Sequence, residues 1–324
     1  MKRIEVRETG GPAQMVLAEV PTPEPGPDDV LVAVSVSGVN LIDVYFRTGL
    51  YKSERPVVLG SEAAGTVAKV GRNVTGLTPG DRVAYTMVRG SYAEYAVVPA
   101  AQVVKVPDAV DDETAAAIML QGTTAHYLTR STFPLDATHT CLVHAAAGGA
   151  GGLIVQMAKS RGARVIGTVS TDEKAREIRA LGADEAIVYT RDDFEAEARR
   201  LTSGRGVDVV YDSVGRTTFD RGLRVLRRRG LMVLFGQSSG PVEPLDPAIL
   251  NARGSLFLTR PSLAHHLATP DELRWRTGEL MTLVMSGALK VRISGRYPLA
   301  DAARAHEDLE SRRTTGKLLL RVRW

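Results

Sequence analysis

Short apolar runs, separated by turn-forming residues, dominate the first 120 residues of the chain. Residues 30–36 (VLVAVSV) form one such run, which is typical of a β-strand. Clusters at 25–27 (Pro-Gly-Pro) and 79–81 (Pro-Gly-Asp) mark turns between strands. The pattern predicts a small, mostly antiparallel β domain, and an Ala-rich stretch over 115–129 predicts a helix after it.

From about residue 135 the pattern changes, and apolar runs alternate with helical segments. The predicted strands are 140–144, 164–169, 186–189, 207–211 and 231–235, and the predicted helices are 152–161, 172–181, 192–201 and 218–226. Such alternation indicates βαβ units and a parallel sheet, and nearly continuous apolar strands indicate helices on both of its faces. We therefore predict an α/β chain with a doubly wound parallel sheet of the Rossmann type beside the β domain. Helices over 270–286 and 300–312 and a strand over 317–322 complete the prediction.

The composition narrows the class of protein. A chain of 324 residues has the length of about two domains. Its single cysteine, Cys141, excludes a disulfide within the chain and a zinc site built from several cysteines. No apolar stretch reaches membrane-spanning length and the N-terminus lacks a signal-peptide pattern, so we expect a cytoplasmic protein. The net charge of +4 is modest, and we interpret its one tight cluster, Arg227–Arg229, as a solvated helix end rather than a nucleic-acid patch.

Residues 144–152 (HAAAGGAGG) carry the strongest local signal. They follow a predicted strand and open a predicted helix, which is the context of a dinucleotide-binding turn. Gly148 would let the backbone approach a pyrophosphate, and Gly151 would let the helix pack closely on the strand. Gly149 is a further cofactor-binding candidate in the same turn. Ala146 replaces the first glycine of the usual fingerprint, so the turn alone is also compatible with a flexible loop that binds nothing.

The end of the second strand of this unit favours NADPH over NADH. NAD-selective folds place an acid there to bind the ribose 2′-hydroxyl, but residues 167–171 (GTVST) contain none. Asp172 and Glu173 come later, where helix-starting acids are common. Ser170 and Lys174 suit a 2′-phosphate as hydroxyl donor and point charge, although a solvated helix lysine is the simpler interpretation of Lys174.

The sequence offers no metal site. A catalytic zinc needs three ligands from Cys, His and acidic residues. The six histidines form no ligand cluster, and the neighbouring His265 and His266 would point apart. We therefore expect no metal-assisted alcohol chemistry.

Many short segments occur along the chain in a specific order and spacing. They are 10–12 (GGP), 38–45 (GVNLIDVY), 47–51 (RTGLY), 60–65 (GSEAAG), 80–83 (GDRV), 144–149 (HAAAGG), 211–215 (YDSVG), 235–240 (FGQSSG), 259–263 (TRPSL) and 310–312 (ESR). Through these segments the chain resembles, along nearly its whole length, the quinone oxidoreductases of the zeta-crystallin type, a zinc-free branch of the medium-chain dehydrogenase/reductase superfamily.

The resemblance implies a discontinuous GroES-like catalytic domain, formed by residues 1–123 and 257–324, and a Rossmann NADPH-binding domain over 124–256. In zinc-containing relatives a Cys matches Asn40 and a His matches Ser61, and neither ligand is present here. The four-cysteine structural zinc lobe is also missing.

The resemblance also implies a set of site residues by their matching positions. Asn40 and Tyr45 would lie near the nicotinamide, with Thr124 close to the cofactor. The adenosine phosphate would contact Ser170, Lys174 and Tyr189. Phe235, Gly236 and Ser238 would flank the nicotinamide ribose and amide, and Ser213 is a further candidate.

The substrate pocket is less well marked in the sequence. Tyr45 and Tyr51 are candidate hydrogen-bond donors or stacking walls, with core packing as the alternative for each. Asn40 would orient a substrate rather than act as an acid, because an amide does not titrate. No Ser-His-Asp set and no Tyr-x-x-x-Lys pair is evident, which agrees with quinone reduction, since a quinone oxygen that gains charge can take its proton from water.

The resulting hypothesis is an NADPH-dependent quinone reductase that works as a homodimer. Two alternatives stay open: a reductase of activated C=C bonds such as enones, and a non-enzymatic, crystallin-like protein that binds NADPH or RNA. The apolar segment 254–259 would leave a bare sheet edge that a second copy could cover. The sequence does not identify the physiological acceptor.

Overall fold

The computed structural model describes residues 1–323 of the chain. Its strands are β1 (Lys2–Val6), β2 (Met15–Glu19), β3 (Asp29–Val39), β4 (Val57–Val58), β5 (Glu62–Val70), β6 (Arg82–Thr86), β7 (Tyr95–Pro99), β8 (Val103–Lys105), β9 (Thr140–Val143), β10 (Arg164–Val169), β11 (Glu185–Val188), β12 (Val207–Asp212), β13 (Leu226–Leu234), β14 (Phe257–Thr259), β15 (Ile293–Pro298) and β16 (Lys317–Arg321). The α-helices are α1 (Leu41–Thr48), α2 (Asp112–Tyr127), α3 (Gly149–Ser160), α4 (Asp172–Ala180), α5 (Phe194–Leu201), α6 (Phe219–Val225), α7 (Ala248–Ala252), α8 (Pro270–Met285) and α9 (Ala302–Glu310).

The described residues form two compact units. The first combines residues 1–123 with the chain from Leu267 onward, and the second comprises Thr124–His266. No helix of the described chain is both long and apolar enough to cross a membrane.

The second unit is built on a six-stranded sheet with the order β11-β10-β9-β12-β13-β14. All its neighbouring strands are parallel, and every residue of β9 and β12 is buried. This confirms the predicted doubly wound sheet. Strand β9 lies between β10 and β12, so the strand order reverses there, and ligands of such sheets bind at the carboxyl ends beside that reversal.

The first unit contains a seven-stranded sheet with the order β15-β16-β3-β5-β6-β8, in which β7 also pairs with β3. Most of its pairs are antiparallel, as the short runs predicted. Strand β16, from the end of the chain, lies between β15 and β3, so the unit needs both of its chain segments. Strands β2, β1 and β4 form a smaller sheet.

Several helices begin where local chemistry provides a cap. The hydroxyl of Thr171 accepts a hydrogen bond from the Lys174 N–H at the start of α4, 3.2 Å away. Asp193 accepts from two N–H groups at the start of α5. Thr269 caps α8, which has Pro270 at its first position. These residue types satisfy the unpaired N–H groups of a first turn.

Residues 257–266 lie in the second unit, whereas the sequence-based boundary assigned them to the catalytic domain. Strand β14 accounts for the difference, because it pairs with β13 through Leu231–Phe257 and its neighbours and so extends the parallel sheet.

The basic cluster Arg227–Arg229 lies in a strand, and its interpretation as a helix end is wrong. Helix α6 ends at Val225, and β13 starts immediately afterwards because Leu226 pairs with Val207. Arg227 then reaches the buried carboxylate of Asp208, which also binds Arg205 at 2.7 Å. At least one charge of the cluster therefore has a structural partner.

Candidate active site

Strands β10 and β11 end beside each other and bring two of the predicted phosphate-binding hydroxyls together. Val169 pairs with Val188, and the N–H of Tyr189 donates to the Val169 carbonyl at 3.0 Å. Ser170 and Tyr189 therefore leave the sheet as neighbours. Neither hydroxyl has a hydrogen-bond partner within residues 1–323, so both are available to an anion.

Lys174 lies in the first turn of α4, just beyond Ser170. It is half-buried, and desolvation by burial lowers its pKa while Glu177 and Glu173 act in the opposite direction. The first turn of a helix also presents unpaired N–H groups and the positive end of the helix dipole. Ser170, Tyr189 and the helix start that carries Lys174 thus all follow the carboxyl ends of β10 and β11.

Arg191 is a second cation at this edge, and the sequence-based reasoning missed it. Its guanidinium donates to both carboxylate oxygens of Asp172 at 3.2 Å and contacts Asp192 at 3.1 Å. The negative charge of Asp172 is therefore balanced by Arg191. The only sequence signal was an arginine shortly after a predicted strand, which is too common to stand out.

The Gly-rich turn joins β9 to α3, and its close backbone approach depends on Gly151. Ala145 has a left-handed φ of 52°, and Gly148 precedes the first helical residue, Gly149. A Cβ atom on Gly151 would lie 2.3 Å from the Ala145 carbonyl oxygen, which is too close for any side chain. At Gly152 an added Cβ would meet the end of the Leu181 side chain at 3.3 Å. Gly151 therefore lets the start of α3 pack closely against the turn at Ala145, whereas the sequence predicted close packing on the strand itself.

The loops after β12 and β13 bring four further candidates together. The N–H of Phe235 donates to the Asp212 carbonyl at 2.9 Å, and the N–H of Ser238 donates to the Ser213 carbonyl at 3.1 Å. A Cβ atom on Gly236 would lie 2.6 Å from the same Ser213 oxygen.

Thr124, a further candidate, is a buried residue of α2, and no hydrogen bond joins it to the four loop residues in the described part of the chain.

In the first unit, Asn40 belongs to a buried polar cluster with Glu62, Lys317 and Gln121. Asn40 immediately precedes α1, and its Nδ2 donates to Glu62 Oε1 at 2.7 Å. Its Oδ1 accepts from Lys317 Nζ at 2.8 Å and from Gln121 Nε2 at 3.2 Å. Lys317 and Glu62 form a salt bridge with both side chains fully buried, so each charge compensates the other.

Asp43 and Ser61 belong to a neighbouring buried cluster. Asp43 accepts from Ser61 Oγ at 2.7 Å, from the Gly60 N–H at 3.1 Å and from the Tyr92 hydroxyl at 3.4 Å. Tyr92 in turn contacts His306. Burial raises the pKa of Asp43 to about 7, because these neutral donors only partly replace lost water.

Tyr45 and Tyr51, the two candidates for the substrate pocket, are in contact. Their ring centroids are 5.3 Å apart at an interplanar angle of 63°, and Phe46 contacts the Tyr51 ring in a similar way. Tyr51 is held by its own N–H, which donates to the Tyr45 carbonyl at 3.0 Å. The arrangement gives a half-buried aromatic surface at the end of α1.

Comparison with known proteins identifies the family. Quinone oxidoreductase 1 of Escherichia coli is 44% identical over 322 residues, which cover 98% of each chain. This chain belongs to the quinone oxidoreductase family. A 2-haloacrylate reductase of Burkholderia is 40% identical, over 97% of each chain. The crystal structure of an Escherichia coli quinone oxidoreductase complexed with NADPH superposes with a TM-score of 0.98 at 43% identity, covering 99% of this chain and 100% of the other.

Two domain-family models match parts of the chain. Residues 26–108 match the alcohol dehydrogenase GroES-like domain, which confirms the predicted type of β domain. Residues 181–320 match a model described as zinc-binding dehydrogenase.

The residues of this quinone oxidoreductase family member do not fit the zinc that this second description implies. Within residues 1–323 no three His, Cys, Asp or Glu side chains lie close enough together to hold a metal ion. At the two positions where zinc-containing relatives carry ligands, the Asn40 amide is bound to Glu62 and Lys317, and the Ser61 hydroxyl donates to Asp43. Neither side chain is a thiolate or an imidazole.

Proposed function

We propose that this protein reduces quinones with hydride from NADPH. The observation that carries the proposal is the edge at which β10 and β11 end and α4 begins, because Ser170 and Tyr189 follow paired strand ends there and Lys174 lies in the first turn of α4. Two relatives support it: the Escherichia coli quinone oxidoreductase by its name, and the superposed structure by its bound NADPH.

The second unit would hold the cofactor at the carboxyl ends of its strands. The Gly148–Gly151 turn and the start of α3 would bind the pyrophosphate through backbone N–H groups. Ser170, Lys174 and Tyr189 would bind the 2′-phosphate. The nicotinamide ribose and amide would lie against Ser213, Phe235, Gly236 and Ser238, with Thr124 nearby.

The first unit would bind the quinone beside Tyr45 and Tyr51, close to Asn40. When bound, NADPH would supply a hydride, which is two electrons and one proton, and would become NADP⁺. A second proton, from water, would complete the hydroquinone. The protein residues need only orient the ring and donate a hydrogen bond to the oxygen that gains charge. The site therefore needs no acidic side chain with a pKa near the working pH.

The test is NADPH oxidation with a panel of acceptors at matched concentrations. Benzoquinones and naphthoquinones form one set, and α,β-unsaturated carbonyl compounds form the other. We expect kcat/KM to be highest for quinones and for NADPH over NADH. Outright preference for NADH, or reaction with neither set, would contradict the proposal.

Reduction of activated C=C bonds is the second candidate, and the 2-haloacrylate reductase favours it. A haloacrylate is an unsaturated carboxylate, and bound NADPH could deliver hydride to its β-carbon. The acceptor panel separates the two candidates, since this activity would appear as faster turnover of the unsaturated carbonyl set. The third possibility, an RNA-binding crystallin-like role, loses support because Arg227 is held by Asp208.

We also propose a homodimer formed through β14. This strand is the last of the six-stranded sheet, and Phe257 and Leu258 are exposed at 59% and 37%. A second copy related by a twofold axis would cover both side chains and pair the open edge.

Two organisational proposals complete the picture. We propose that the first unit is the catalytic domain and the second the NADPH-binding domain, with the boundary near residue 266. We further propose a cytoplasmic location, because the lone Cys141 is buried and no disulfide supports the fold.

A further inference from the structure

The amide of Asn40 has no hydrogen-bonding capacity left for a substrate. An asparagine side chain can donate two hydrogen bonds and accept two. Nδ2 donates to Glu62 Oε1 at 2.7 Å and to the Gly38 carbonyl at 3.3 Å. Oδ1 accepts from Lys317 Nζ at 2.8 Å and Gln121 Nε2 at 3.2 Å. All four capacities are therefore used by the protein itself.

Lys317 determines the orientation of the Asn40 amide, that is, which end is Oδ1 and which is Nδ2. An ammonium group can only donate, so the Asn40 atom beside it must be the oxygen. The nitrogen then faces Glu62, which as a carboxylate can only accept. The buried salt bridge between Lys317 and Glu62 thus removes the ambiguity between the two ends of the amide.

The same logic orients Gln121, which lies in α2. Because Asn40 presents an oxygen, Gln121 must turn its NH₂ group toward it. One N–H and the Oε1 atom of Gln121 then have no partner within residues 1–323. Gln121 is only half-buried, so part of its surface is reachable from outside the cluster.

We propose that Gln121, rather than Asn40, donates the hydrogen bond that binds the quinone oxygen. The inference rests on the proposed placement of the quinone beside Asn40 and Tyr45. Lys317, Glu62 and Asn40 are then positioning residues, and they hold the Gln121 amide in one orientation before substrate binds. A donor that is fixed in advance loses no rotational freedom on binding, which favours affinity.

The principal test is Gln121→Leu, which keeps the size of the side chain and removes its hydrogen bonds. Gln102→Ala is the control, because Gln102 is an exposed glutamine of the same unit. We expect the Leu variant to lower kcat/KM for quinones by about three- to tenfold, the value of one neutral hydrogen bond. The KM for NADPH and the melting temperature should stay close to wild type, and the control should match wild type throughout.

Tyr45→Phe and Tyr51→Phe separate a failure of this inference from a failure of the proposed site. If a Tyr variant lowers quinone kcat/KM and Gln121→Leu does not, the placement stands and the role of Gln121 is overturned. If all three variants react like wild type, the quinone lies elsewhere and both proposals fall.

A double-mutant cycle tests the positioning role. If Asn40 acts through Gln121, Asn40→Ala should lower quinone kcat/KM in the wild-type background but have little further effect with Leu at position 121. The loss in the wild-type background should appear mainly in KM, with thermal unfolding recorded to confirm folding. Fully additive losses would overturn the positioning role.

Discussion

Asp43 and Glu62 are both fully buried acids of the first unit, but their partners differ. Glu62 has a lysine ammonium beside it, whereas Asp43 is surrounded mainly by neutral donors. Burial raises the pKa of Asp43 to about 7, against an ordinary value of 3.8. The folded protein therefore binds a proton at Asp43 over a pH range in which the unfolded chain has released it.

This difference makes stability depend on pH in a definite direction. Between about pH 4 and pH 7 the folded state holds more protons at Asp43, so its contribution to stability falls as the pH rises. Asp43→Asn removes the titration and keeps an oxygen for Ser61 and Gly60. We expect the free energy of unfolding of the variant, relative to wild type, to increase by roughly 2–3 kcal/mol from pH 5 to pH 7. Urea unfolding at several pH values measures this, and a constant difference would contradict it.

Lys174 offers a residue-scale test of cofactor choice. A charge-assisted contact contributes about 1.5–3 kcal/mol, so Lys174→Ala should weaken NADPH by about ten- to a hundredfold. NADH lacks the 2′-phosphate, and its KM should hardly change.

Lys159→Ala is the matched control for this substitution, because Lys159 is bound to Asp184 at 2.6 Å and carries the same charge elsewhere in the unit. The measurement is kcat/KM for both cofactors at fixed ionic strength. Equal losses for NADPH and NADH, or equal effects of the two lysine variants, would refute a phosphate contact.

At the scale of elements, the start of α3 provides a pair of glycines that differ only in their surroundings. Gly151→Ala would press a methyl group against the Ala145 carbonyl at 2.3 Å, so the turn must shift. Gly152→Ala would meet the flexible end of Leu181 at 3.3 Å and the Ala146 carbonyl oxygen at 3.7 Å, and would gain helix propensity of up to about 1 kcal/mol.

We therefore expect Gly151→Ala to lower stability by about 1–3 kcal/mol and to weaken NADPH binding by more than tenfold. Gly152→Ala should leave NADPH binding nearly unchanged and should not lower stability. Thermal unfolding and fluorescence titration with NADPH give both values. Equal behaviour of the two variants would show that the close approach at Gly151 does not matter.

The elements themselves were largely predictable, because each depends on nearby residues. Strand β10 begins and ends where the apolar run does, and α4 begins at the predicted Asp172. Arg227–Arg229 was misassigned because strand pairing with Val207, 19 residues before Leu226, overrides the local helical pattern. Gln121 and Lys317 were missed for the same kind of reason: they meet Asn40 across 81 and 277 residues, and no sequence pattern marks such a contact.

At the scale of the whole molecule, the exposed edge of β14 is the feature that most directly implies assembly. Leu258→Lys places a charge in the proposed interface, where it would be desolvated without a partner. We expect it to raise the dimer dissociation constant at least about tenfold. Met285→Lys is the control, since Met285 is also exposed, at 48%, but lies in α8 of the other unit. Light scattering over a micromolar range of protein concentration measures the molar mass of each variant. A monomeric wild type would contradict the proposal.

The position of β16 has a consequence for biosynthesis. Lys317 is made 255 residues after Glu62, its salt-bridge partner, and at about 5–20 residues per second the ribosome needs roughly 10–50 s to cover that distance. During this interval the Thr124–His266 unit can already fold as a contiguous segment, whereas the sheet of the first unit still lacks a central strand. Until Lys317 emerges, burying Glu62 would leave a carboxylate without a counter-charge, which is strongly unfavourable. We therefore expect the first unit to close only after Lys317 has emerged.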